Sequence, residues 1–98
     1  MSNSSRNVRK KTIVNKVAEA TGNPQHYTGR VIEEFLAQMI EELSQGNKLE
    51  FRGFGVFEPV RRKKKLARNP KTKEEVMVPA RTVVKFRMGR EMRESMKE

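Results

Sequence analysis

The residues of this chain that could do chemistry are mostly cations, and they concentrate in residues 61–73, with the sequence RRKKKLARNPKTK. This basic stretch carries eight Lys or Arg side chains and no Asp or Glu. Clustered Lys and Arg side chains bind phosphates through charge-assisted hydrogen bonds and attract anions over longer distances. The stretch therefore predicts a binding surface for a polyanion outside the chain.

A single proline, Pro70, stands in the basic stretch within the sequence RNPKT, residues 68–72. Taken alone, an Asn-Pro step is typical of an ordinary turn, because proline fixes one backbone angle and asparagine bonds to the nearby backbone. A rigid apolar ring among cations is also suited to insertion between stacked bases. The five consecutive cations of residues 61–65 have two interpretations as well. They are either a solvated or targeting patch or a surface that follows phosphates.

The residue types that are missing exclude several kinds of chemistry. The chain has no Cys and no Asp, and His26 is its only histidine. Disulfides and thiolate metal sites are therefore excluded, and a metal site or a catalytic dyad at His26 has little support. No pair of acids has a spacing that would hold Mg²⁺ for hydrolysis of nucleic acid. We expect a protein that is not an enzyme and that uses no metal, cofactor or small-molecule substrate.

Charge and composition narrow the class of protein further. The net charge is +10, of which residues 61–73 supply eight and residues 1–11 a net four, so the remaining residues are slightly acidic. With 98 residues, 35% of them hydrophobic, the chain fits one small domain whose core a second subunit completes. No apolar run could span a bilayer or serve as a signal peptide. We expect a cytoplasmic protein with no membrane partner.

Two amphipathic helices are predicted before the basic stretch. Residues 1–11 are expected to form a flexible basic tail. A first helix follows over residues 12–21, with Thr12 as its N-cap and Gly22 as its end. The second helix, over residues 23–45, has an apolar stripe wider than one neighbouring helix can bury. A second subunit is expected to cover the remainder.

Strand patterns flank the basic stretch, so it is predicted to be a long hairpin arm over about residues 61–75. The sequence GFG at residues 53–55 predicts a tight connection between two strands. Pro59 lacks a backbone donor and fits only an edge strand or an irregular position. The predicted elements are strands over residues 48–52, 56–60 and 75–86, with a break at residues 79–80, and a short closing helix over residues 89–98.

The order of these elements resembles that of the HU and integration host factor family of bacterial DNA-bending proteins. The resemblance covers about residues 12–96. It rests on GFG at residues 53–55 with Phe57, on RNPKT at residues 68–72, and on Phe86 with Gly89. The segment ARTVVKFR, residues 80–87, is most similar to the integration host factor side of the family.

The resemblance implies an α+β fold over residues 12–98, with two N-terminal helices, a short C-terminal helix and a three-stranded antiparallel sheet extended into a β-ribbon arm. It implies an intertwined dimer, either a homodimer or a heterodimer with a paralogue. The interface would contain the apolar residues Val31, Phe35, Leu36, Met39, Ile40, Leu43, Phe51, Phe54, Phe57 and Phe86.

The family's activity, carried over by motif, is the binding and bending of duplex DNA through the minor groove, with weak sequence preference. Bent, nicked or otherwise distorted DNA in the bacterial nucleoid is the implied partner. Pro70 would enter between base pairs and kink the duplex. The implied DNA contacts are Arg61, Arg62, Lys63, Lys64, Lys65, Arg68, Asn69, Pro70, Lys71, Lys73, Arg87 and Arg90.

Several positions depart from the family pattern. Lys73 stands where the family usually has glycine, at the turn of the arm, and Met88 stands where it usually has proline, before the last helix. Pro59 and Val60 replace a more regular strand, and the basic tail of residues 1–11 is longer than the common form. We expect the arm tip and the start of the last helix to differ accordingly.

An RNA-binding or ribosome-associated module is the alternative function, because a basic arm would also bind RNA. Residues 61–75 contain no aromatic side chain on which unpaired bases could stack. This composition argues against recognition of single strands.

Overall fold

The predicted α+β class is confirmed by the structure, a computed structural model that describes residues 5–97. The chain divides into two compact units, one ending at Met39 and the other beginning at Ile40. The elements are α1 (Lys10–Thr21), α2 (Gln25–Ser44), β1 (Leu49–Phe51), β2 (Gly55–Arg62), β3 (Lys65–Arg68), β4 (Glu75–Val78), β5 (Arg81–Met88) and α3 (Arg90–Ser95).

Helix α1 begins two residues earlier than predicted, at Lys10. Thr12 is therefore not the N-cap; Arg9 holds that position and makes no side-chain capping bond. Lys10, the first residue of α1, forms an ion pair with Glu33 of α2, in which the Lys10 Nζ lies 2.9 Å from the Glu33 Oε1. The predicted end is confirmed: Gly22 has a left-handed φ of 70°, a conformation that glycine adopts without the steric cost of a Cβ.

The first unit buries few side chains. Val14 and Ala18 are its buried apolar residues, and Thr28 of α2 is buried with its hydroxyl donating to the Pro24 carbonyl at 2.9 Å. The hydrogen bond and charge of Lys10 lower the pKa of the Glu33 carboxyl on the surface of this unit.

Strands β1, β2 and β5 form a three-stranded antiparallel sheet in the second unit, in the order β1-β2-β5. We call it the body sheet. Its register places Phe57 opposite Phe86, whose ring centroids are 4.7 Å apart. The rings of Phe51 and Phe54 join them, with Phe54 5.7 Å from Phe86 and Phe51 6.1 Å from Phe57. Edge-to-face and tilted ring pairs at such distances stabilise a sheet face beyond their buried area.

The turn at residues 53–55 depends on both of its glycines. Gly53 has φ +84°, and a Cβ at Gly55 would lie 2.5 Å from the ring of Phe86. A side chain is strained at the first position and sterically excluded at the second. The same turn holds the start of α3, because the N–H groups of Gly89 and Glu91 donate to the carbonyls of Phe54 and Gly53 at 2.7 and 2.9 Å. Two backbone hydrogen bonds thus hold the start of α3, directly after Met88.

Pro59 lies within β2, opposite Val84 of β5. Strand β1 pairs with β2 only from Gly55 to Phe57. Beyond Phe57, β2 pairs only with β5 among residues 5–97, so Pro59 lies where β2 is an edge strand. The expectation that this proline needs an edge is therefore correct, and β2 continues through it to Arg62.

Strands β3 and β4 form a separate two-stranded antiparallel sheet, which we call the ribbon. Two short unpaired segments separate the ribbon from the body sheet. Lys63 and Lys64 connect β2 to β3, and Pro79 and Ala80 connect β4 to β5. Pro79 has no N–H to donate, and adjacent cations repel one another, so both sides disfavour continued pairing.

Within residues 5–97, none of the helices combines the length and apolar character needed to cross a lipid bilayer.

Candidate nucleic-acid interface

The base of the ribbon is a strongly basic concavity. Five cations line it together with Val83, and its volume is about 470 Å³. They are Arg62, Lys63, Lys64, Lys65 and Arg81. Four of these residues were predicted from the basic stretch, whereas Arg81 was not. The strand register places Arg81 in the concavity, because Arg62 at the end of β2 pairs with Arg81 at the start of β5.

The charge in this concavity is suited to holding phosphate groups. Lys and Arg head groups on the rim of a partly enclosed surface interact with an anion more strongly than the same groups in open water. Arg61, the remaining member of the five consecutive cations, lies one residue earlier in β2, opposite Thr82.

The tip of the ribbon is organised by Asn69. Its Oδ1 accepts the N–H of Lys71 at 2.9 Å, which closes a turn around Pro70. Its backbone N–H donates to the Glu74 carbonyl at 2.9 Å, and its carbonyl accepts the N–H of Lys73 at 2.7 Å. Asparagine side chains stabilise turns in this way. Pro70 is exposed at the tip, followed by the exposed Lys71.

Lys73 occupies a left-handed backbone conformation, with φ +61°. Among residues 5–97, it is the one non-glycine residue with positive φ. A Cβ in this conformation costs on the order of 1 kcal/mol. Lys73 therefore adds a cation at the tip and strains the backbone of the turn.

Arg68 faces a carboxylate across the ribbon. It pairs with Glu75, and the Arg68 Nη2 lies 4.0 Å from the Glu75 Oε1, with both side chains exposed. An exposed pair at this distance is weak and is screened by salt. The guanidinium therefore remains able to exchange this partner for a phosphate.

The two predicted contacts outside the arm lie where β5 meets α3. Arg87 Nη2 is 3.7 Å from Glu58 Oε1 on the neighbouring strand; Arg87 is exposed and Glu58 is half-buried. Arg90 is the first residue of α3, beside the fixed Gly89. Sequence reasoning missed Glu58 and Glu75 as partners of Arg87 and Arg68, because the pairings become visible only with the strand register.

The apolar residues expected at a dimer interface are all at least partly exposed in the single chain. Val31 is 49% exposed, Phe35 50% and Ile40 66%. Leu36, Phe54 and Phe86 are exposed as well, and Met39, Leu43, Phe51 and Phe57 are half-buried. The residues that the structure describes include no group of three or more His, Cys, Asp or Glu side chains that could hold a metal ion.

Comparison with known proteins gives consistent matches. Residues 8–97 match the protein family described as "Bacterial DNA-binding protein". The chain is 39% identical to the "Probable DNA-binding protein HU" of Chlamydia trachomatis, over 86% of this chain and 85% of that protein. It is 43% identical to the "Integration host factor subunit beta" of Idiomarina loihiensis, over 64% of this chain and 68% of that protein.

Among solved structures, the chain resembles the Anabaena HU in an HU-DNA cocrystal structure. The TM-score is 0.82 at 36% sequence identity, covering 90% of this chain and 96% of that chain.

Proposed function

The chain belongs to the bacterial DNA-binding protein family that includes HU and integration host factor, and on that premise we propose that it is a histone-like protein that binds and bends duplex DNA. The observation that carries the proposal is the ribbon with its basic base and exposed tip. The concavity at its base is lined by five cations, and Pro70 stands at its far end. An element with this charge lies against the phosphates of a duplex, and the rigid tip reaches between base pairs.

The two ends of the ribbon have different roles in this mechanism. Arg62 to Lys65 and Arg81 neutralise phosphates, which releases counterions and makes the affinity depend on salt. Pro70 enters a base step and partly unstacks it. Unstacking costs on the order of a few kcal/mol, and a bent duplex offsets that cost by contacting more of the protein. Arg87 and Arg90 supply phosphate contacts where β5 meets α3.

The replacement Pro70→Ala tests the wedge. We expect Pro70→Ala to lower the energy transfer between dyes at the two ends of a short duplex at saturating protein, with little change in affinity. The matched control is Lys71→Gln, which removes a neighbouring charge and keeps the proline. It should weaken binding and leave the transfer at saturation unchanged. Equal transfer for Pro70→Ala and the unmodified protein would reject the wedge.

The protein acts as a dimer in this proposal, most simply a homodimer. A chain that leaves Val31 and Ile40 about half or more exposed needs another apolar surface to cover them, because exposed apolar area is unfavourable in water. Sedimentation equilibrium should give twice the chain mass of 11.4 kDa. A monomer mass at micromolar concentration would contradict the homodimer, and recovery of the dimer only with a related chain would indicate a heterodimer.

Distorted DNA is the preferred partner in this mechanism, because a nicked or bent duplex has already lost part of the stacking that the wedge must disrupt. We expect a nicked duplex to compete better than an intact one, and single-stranded RNA to compete least. Stronger competition by the RNA would favour the RNA-binding alternative. The role is architectural, without a catalytic step, and its site of action is the nucleoid in the bacterial cytoplasm.

A further inference from the structure

The concavity at the base of the ribbon concentrates cations that have no counter-charge in the chain. Five exposed Lys or Arg side chains line it, and Val83 is its apolar member. Within residues 5–97, no acid lines the concavity and none of its five cations forms an ion pair. Arg68 and Arg87, by contrast, each face a glutamate. The concavity is therefore a positive site whose charge is not neutralised.

The strand register makes this concentration of charge unfavourable for the free protein. Arg62 and Arg81 are direct cross-strand partners, and like charges in that arrangement destabilise a sheet. Lys63 and Lys64 follow directly, outside the paired strands, and they add charge without adding a strand pairing. An arrangement that costs stability locally is typical of a functional site. A bound anion would offset the repulsion.

A simpler explanation is that duplex DNA alone neutralises these cations. The phosphates of a duplex are spaced along two strands, so a single cavity of about 470 Å³ can take few of them. That volume lies within the range of about 300–1,000 Å³ that is typical of small-molecule sites. A chain of directly linked phosphates brings several negative charges into such a volume. It therefore matches the concavity more closely than a duplex backbone does.

We propose that the concavity binds a free chain of linked phosphates, of the kind found in inorganic polyphosphate and in nucleoside triphosphates, and that this anion competes with DNA. The inference rests on the proposed function, because the same cations hold the duplex. Arg62 and Arg81 can each donate two hydrogen bonds to a phosphate group, and the lysines supply compact charges beside them. The concentration of the anion then sets how much of the protein is available to DNA.

Calorimetric titration of tripolyphosphate into the full chain, with KCl holding the ionic strength constant, tests the site. We expect saturable binding of one tripolyphosphate per chain. Arg81→Gln should weaken it by about tenfold, because charge-assisted hydrogen bonds are lost, and Arg81→Lys should weaken it less. The matched control is Arg90→Gln, which removes one charge at the start of α3, outside the concavity. This control should bind tripolyphosphate as tightly as the unmodified protein.

Displacement of a labelled duplex tests the competition. We expect the apparent dissociation constant of the duplex to rise with tripolyphosphate concentration, and to rise less steeply in Arg81→Gln. Sulfate at the same ionic strength is the control for screening, and it should displace much less duplex. ATP carries the same phosphate chain on a nucleoside. Tighter binding of tripolyphosphate would identify the free chain as the ligand, and tighter binding of ATP would identify the nucleotide; both results support the proposed class.

Three results would overturn the inference. The first is the absence of saturable tripolyphosphate binding. The second is equal weakening in Arg81→Gln and Arg90→Gln, which would attribute the binding to net charge. The third is equal displacement of the duplex by sulfate. Absence of duplex binding by the unmodified protein, with tripolyphosphate still bound in the calorimeter, would instead reject the proposed function.

Discussion

The body sheet and the ribbon are both antiparallel, yet their side chains lie in different surroundings. In the body sheet, Phe57 and Phe86 pack with their ring centroids 4.7 Å apart, within a cluster of four rings. In the ribbon, the opposed Leu66 and Met77 are each 56% exposed. A two-stranded hairpin without such packing is marginally stable in water. Backbone pairing alone therefore stabilises the ribbon less than pairing together with ring packing stabilises the body sheet.

The largest expected effect is on the body sheet. Phe57→Ala removes the ring that contacts Phe51, Phe54 and Phe86, so we expect the free energy of unfolding to fall by about 3 kcal/mol or more. Denaturant unfolding followed by circular dichroism measures the change. In the ribbon, Leu66→Ala should change it by less than about 1 kcal/mol, because that side chain is largely exposed. Similar losses for the two variants would contradict the difference between the sheets.

An intermediate effect is expected at the tip of the ribbon. Lys73→Gly relieves the strain of a left-handed lysine and should stabilise the turn by up to about 1 kcal/mol. Amide hydrogen exchange should slow in the ribbon and stay unchanged in the body sheet. Lys73→Ala is the control, because it removes the same charge but keeps a Cβ at φ +61°. A shift in the exchange of the body sheet would show that the two sheets open together.

The smallest effect is expected from the exposed ion pair Lys10–Glu33, which lies outside both sheets. Its effect on stability is a reference for the exposed Arg68–Glu75 pair of the ribbon. Lys10 lowers the pKa of Glu33. A lowered pKa in the folded state means that the pair stabilises the fold above the unfolded-state pKa and is lost as pH falls through the folded one. Lys10→Gln should raise the Glu33 pKa in an NMR titration and reduce this acid dependence. An unchanged pKa would mean that the pair does not persist in solution.

Sequence reasoning predicted the element order partly because two glycines, Gly55 and Gly89, leave no room for a side chain. A Cβ at Gly55 would lie 2.5 Å from the Phe86 ring, and one at Gly89 would lie 2.6 Å from the Gly53 carbonyl oxygen. A glycine that such a position requires can be recognised in the sequence as a turn or a helix end. Gly22 was recognised in this way, and it ends α1 at the predicted position.

Sequence reasoning misplaced the start of α1, because it relied on the capping side chain of Thr12, whereas the helix begins at Lys10 after Arg9, which makes no side-chain capping bond. It missed Arg81 for another reason, which is contact between residues distant in sequence. Arg81 reaches the base of the ribbon only through the register of β2 with β5. The sequence did contain enough information to place Arg81. If Phe57 is paired with Phe86 in antiparallel strands, the fifth pair towards the ribbon is Arg62 with Arg81.

The interrupted ladder at the base of the ribbon also makes the ribbon a removable module. Arg62 and Arg81 are the last pair of the body sheet, so residues 63–80 could be excised and replaced by a two-residue Asn-Gly turn of the kind that closes hairpins. The shortened chain would keep every pairing of β1, β2 and β5. Ribbons of other lengths and tips could be grafted at the same two arginines, so the reach of the DNA-binding element can be redesigned without redesigning the body.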